Sequence, residues 1–117
     1  MEFTSGGTEG FRLDEERYNI PDGNNMYGVV NDTISKKQIA TKFHELGWSV
    51  RKSSWTDFEI ECQWAELHIE GENEILFNGI LDETKFEELG DLMVKLGFKY
   101  SIELYDDEQK LLRTISN

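Results

Sequence analysis

The chain has 117 residues and a mass of 13.6 kDa, the length of one domain. Its 24 acids against 12 bases give a formal net charge of −12 and lack the basic footprint that nucleic-acid and anionic-membrane binders need. Hydrophobic residues make up 38%, with three Trp, four Tyr and seven Phe, which suffices for one core and is too aromatic for a disordered acidic tail.

Residues 1–26 read as a loop-rich N-terminal arm draped on the domain. They hold the only proline, Pro21, a scatter of Gly and Asn, and no apolar period. One short strand is expected around Phe11–Leu13, and Tyr27–Val30 is a candidate for another. Residues 27–117 then form the α+β core. Ser35 and Gln38 have capping-box spacing, Ile39, Phe43 and Leu46 recur at helical spacing, and Gly47 supplies a left-handed stop. These predict a helix over roughly 36–46.

The period then switches to two. Phe58, Ile60 and Cys62 alternate with Glu59, Glu61 and Gln63, and the phase slips by one near Trp64–Ala65. A one-residue slip flips every side chain unless a turn or bulge absorbs it. Leu67 and Ile69 then alternate with Glu66, His68 and Glu70, and residues 71–73 turn into a strand at 74–80. A second helix, capped by Asp82 or Thr84, carries the stripe Phe86, Leu89, Met93, Leu96 and stops at Gly97. Two closing strands, 98–105 and 110–115, flank a polar tip at 106–109. Leu46-Gly47-Trp48 and Leu96-Gly97-Phe98 sit 50 residues apart in the same helix–strand–turn–strand setting, either an internal repeat or a shared helix-to-strand grammar. The expected architecture is one antiparallel sheet of five to six strands with both helices on one face, in the order α-β-β-β-α-β-β after the arm.

Charge is uneven along this order. Residues 57–91 hold twelve acids and one base, Lys85, whereas residues 36–52 hold five bases and one acid, Glu45. With a turn at the phase slip, Glu59, Glu61, Glu66 and Glu70 fall on one solvent face. Such a face either serves solubility or presents acids to a cationic partner. The candidate partner-binding residues are these four with Glu72 and Glu74, and Trp55 or Trp64 as the aromatic anchor.

Catalytic signatures are sparse. His44 and His68 lack zinc-ligand spacing, and Cys62, the one cysteine, is expected to be a buried small hydrophobe. A site of His68 with Glu66 or Glu70 is the nearest approach to a metal set, and the expectation is no metal and no cofactor. Asp106-Asp107-Glu108 lacks the ligand alternation and central glycine of an EF-hand, Gly6-Gly7-Thr8-Glu9-Gly10 lacks the Lys-Ser/Thr of a phosphate loop, and Ser53-Ser54 has no recognisable His and acid partners. The expectation is a non-enzyme. No apolar run has transmembrane length and the N-terminal stretch is unlike a signal peptide, so a cytoplasmic location is expected.

Over residues 33–117, the acid-rich sheet and the closing hairpin from Glu103 to Ile115 resemble the small acidic α+β immunity proteins that bacteria encode beside polymorphic or contact-dependent toxins. Those families share no functional motif, so no residue role carries over. The resemblance implies an inhibitor that occludes a basic toxin domain, often a nuclease, by charge complementarity. Two other classes fit the sequence: a phage or mobile-element DNA mimic, and a small ligand-binding or regulatory module. The residues leave the oligomeric state open.

Overall fold

A computed structural model describes residues 2–31 and 33–117; Met1, the first residue of the expected arm, and Asp32, in the expected core, lie outside the described residues. The elements in chain order are β1 (Met26–Val30), α1 (Lys36–Glu45), β2 (Ser49–Lys52), β3 (Phe58–Cys62), β4 (Ala65–Glu70), β5 (Ile75–Leu81), a 3-10 turn (Glu83–Lys85), α2 (Phe86–Lys95), β6 (Tyr100–Tyr105) and β7 (Leu111–Ser116). They form one α+β unit in which seven antiparallel strands run β2-β3-β4-β5-β1-β6-β7. No helix among the described residues is long and apolar enough to cross a membrane.

Local chemistry explains the helix ends. Ser35 accepts from the Gln38 backbone N–H while the Gln38 side chain accepts from the Ser35 N–H, closing the capping box of α1. Gly47 and Gly97 adopt positive φ, and the next residues donate back into the last turn, Trp48 N–H to Phe43 O at 3.2 Å and Phe98 N–H to Met93 O at 3.0 Å. Both aromatics are thereby turned into the core. α1 lies over β2–β4 and α2 over β6–β7, on the same side of the sheet. Their buried side chains, Ile39, Phe43, Phe86, Leu89 and Met93, meet Ile60, Leu67, Phe77 and Ile102 in one core.

Three features correct the sequence expectation. The sheet has seven strands rather than five to six, because Ser49–Lys52 adds one before β3, while the candidate strand at Tyr27–Val30 forms as Met26–Val30, in the centre of the sheet between β5 and β6. Four strands, β2–β5, separate the helices. Phe11 makes only a single parallel bridge to Trp48, and no strand forms at 11–13. The arm is nonetheless bonded to the core at several points: it runs along the outer edge of β2 (Lys52 N–H to Thr4 O, Thr8 N–H to Val50 O, both 2.8 Å) and then past the ends of β3 and β5. It thus covers an edge that would otherwise offer open pairing groups.

Candidate functional site

The helices cover one face of the sheet and leave the other without a layer. Strand alternation decides what stands there. On β3 and β4, Phe58, Ile60, Cys62, Ala65, Leu67 and Ile69 point to the core, so Glu59, Glu61, Glu66, His68 and Glu70 point away. A two-residue turn, Gln63-Trp64, absorbs the phase slip and sets Glu59 opposite His68 and Glu61 opposite Glu66. β5 continues the rows with Asn78 opposite His68, Ile80 opposite Glu66 and Leu76 opposite Glu70. β1 adds Tyr27 and Val29, and β6 adds Glu103 and Ser101 opposite them.

Glu59, Glu61, Glu66 and Glu70 therefore share one face, as the alternation predicted. Two of them are already engaged by the chain's own cations. Arg51, opposite on β2, pairs with Glu59. Arg12 of the arm lies 3.8 Å from Glu61, which also accepts from the Leu13 N–H at 2.7 Å. Glu70 accepts from the Asn78 amide at 3.0 Å. Much of the basic segment 36–52 is likewise paired: Lys36 donates to Asp57 at 2.8 Å and holds that carboxyl below its usual range, and Lys37 pairs with Glu2. Glu72 and Glu74 lie in the exposed β4–β5 turn, off the face.

The two tryptophans part company. Trp55 is 91% exposed, with the Lys52 ammonium 5.5 Å from its ring centre. Trp64 is only 6% exposed and sits edge-on to Trp48 at 5.5 Å, which removes it from the set of candidate anchors. Missing from the sequence reading are Tyr27 and Tyr105, whose rings meet edge to face at 5.6 Å on the uncovered face, with Leu76 and Leu111 exposed beside them. The face thus has a charged half on β2–β4 and an aromatic and aliphatic half on β5–β7.

The charged half concentrates like charge on Glu66. Burial pushes its carboxyl up to about 7, helped by the hydrogen bond and charge of Glu59 and by the charge of Glu61, against a small opposing effect of Arg51. A group held above its ordinary value of 4.5 retains its proton in the fold after the unfolded chain has lost it. Stability therefore falls as pH rises from that value to about 7. Glu66→Gln should abolish this decline and, after allowance for solvent screening, exceed the native chain by about 1 kcal/mol at alkaline pH. Urea unfolding in chelator-containing buffer on both sides of the window checks it; parallel pH profiles for the two proteins would refute it.

Elsewhere Cys62 is buried, and burial raises its thiol to about 12, so it behaves as a small apolar side chain. His44 packs edge-on to Phe3 at 5.7 Å on α1, far in the chain from the acids. The uncovered face, half acidic and half aromatic, has no counterpart to borrow a function from: comparison of the chain with protein-family models, with curated proteins and with solved structures finds no match in any of the three.

Proposed function

We propose that the chain is a non-catalytic binding protein of the immunity type, which neutralises a cognate toxin domain by docking the uncovered face of its sheet on a basic surface. The observation that carries this reading is the pairing, on one helix-free face, of clustered carboxylates with an exposed Tyr27, its half-buried partner Tyr105, and an exposed Leu76. Aromatic anchors in a patch flanked by charge match the anatomy of protein interfaces, where rings supply binding energy and charges steer approach. The net charge of −12 acts in the same direction. Trp55 takes no part in this face: it sits in the β2–β3 turn against Lys52, which stands opposite the core residue Phe58 and so points to the helix side.

Glu59 and Glu61 are unsuited to a charge-reversal test, because they hold Arg51 and the arm. Glu66 and Glu70 make no ion pair among the described residues and suit it. Co-expression with the protein encoded beside it should relieve that protein's toxicity and yield a complex that weakens at high salt. Glu66→Lys with Glu70→Lys should slow association and weaken the complex about tenfold or more while the fold persists. A neighbouring protein that is harmless, or a complex whose affinity the double reversal leaves intact, overturns the proposal.

A further inference from the structure

We infer that Glu59, Glu66 and His68 form a binding site for a borderline divalent cation of the Zn2+ or Co2+ type on the uncovered face. One ligand atom from each of the three residues lies within 4.8 Å of the others. The arrangement follows from the strands. Glu66 and His68 are two apart on β4 and so project from the same face, and Glu59 stands directly opposite His68 on β3. The donors thus come from two hydrogen-bonded strands of a rigid sheet, the kind of element that holds ligands in place. One imidazole nitrogen and two carboxylate oxygens suit Zn2+, whereas Ca2+ and Mg2+ favour oxygen-only sets. Long glutamate side chains can draw in to ligand bonds of about 2.0–2.2 Å, and the solvent side leaves a position for water.

A second observation concerns His68 itself. Its ring is half-buried yet makes no hydrogen bond or ion pair with any described residue, although a partly enclosed imidazole ordinarily finds one. Its neighbour across β5, Asn78, gives its amide to Glu70 instead. Glu59 and Glu66 hydrogen-bond each other, and neither bonds the imidazole of His68 beside them. Arg51 holds Glu59 from the β2 side, the place of an outer partner that orients a ligating carboxylate.

The site does not depend on the protein-binding role, and the test uses the full chain after chelator treatment. Titration with Zn2+ followed by calorimetry should show one equivalent bound, and Co2+ should give the visible bands of a site with four or five ligands. His68→Ala, His68→Asn and Glu66→Gln should each lower affinity at least about tenfold. Glu70→Gln, which removes the same charge from the same strand face, should leave it within about twofold, well under the ligand effect. Circular dichroism confirms the fold of each variant. Zn2+ affinity that survives the loss of His68, an equal loss in Glu70→Gln, or Ca2+ bound as tightly as Zn2+ would mean diffuse attraction to acids only and overturn the site.

Discussion

Phe43→Ala is expected to destabilise the domain by about 3–5 kcal/mol, a large share of the roughly 5–15 kcal/mol that holds a small domain folded. Phe43 is fully buried on α1 and meets three other aromatic rings of the core. Its ring meets Trp48 edge-on at 4.9 Å, tilts on Phe77 at 5.9 Å and stacks with Phe98 at 6.4 Å. Those partners lie just before β2, in the middle of β5 and between α2 and β6, so the ring ties α1 to the centre of the sheet and to both helix-to-strand connections. Alanine removes all three contacts and leaves a cavity that the strands, pinned by their ladders, cannot close. Phe43→Leu fills most of that volume and should lose distinctly less. Urea unfolding checks both: the midpoint falls with an unchanged slope. A loss below about 1 kcal/mol for Phe43→Ala would mean that the core relaxes around the site.

What the sequence disclosed depended on how local the determining chemistry was. Ser35 with Gln38, Gly47 with Trp48, and the phase slip at 63–64 are signals within a few residues, and each produced the expected cap, stop or turn. The shared face of Glu59, Glu61, Glu66 and Glu70 followed from that turn. β1 was harder, because its five residues are too short to show a period and its pairing partners lie some 50 and 75 residues away. Gly28 carries the trace of that insertion: a Cβ there would stand 2.5 Å from Ser101 O on β6. Trp64 misled for the opposite reason. A turn position suggests exposure, yet its ring folds inward onto Trp48. The neutralisation of Glu61 by Arg12 and the Leu13 N–H spans 48 residues of chain, and no spacing announces it. His68 stands between Glu66 and Glu70 on β4, as the alternation indicates, and the register adds Glu59 on β3 as a facing partner that no spacing announces.

Asp82→Ala should cost about 2 kcal/mol, from charge-assisted hydrogen bonds lost at one buried carboxylate. Asp82 starts the 3-10 turn that leads into α2 and accepts from the Thr84 N–H at 2.9 Å and the Thr84 hydroxyl at 2.7 Å. Its other oxygen accepts from the Asn19 N–H at 3.0 Å, so one side chain ties the arm to the entry of α2. Burial pushes this carboxyl up, but the bonds from Thr84 and Asn19, with Lys85 nearby, outweigh it and hold the group below its usual value of 3.8. A depressed carboxyl stabilises the fold above its unfolded value, and that stability is lost as pH falls through the folded one. The gap between the native chain and Asp82→Asn should therefore be full at neutral pH and shrink once pH drops below 3.8. Hydrogen exchange separates the two roles: Asp82→Ala should speed exchange at Asn19 as well as at the start of α2. Unchanged protection at Asn19, with α2 alone loosened, would show that the arm holds to the sheet without this carboxylate.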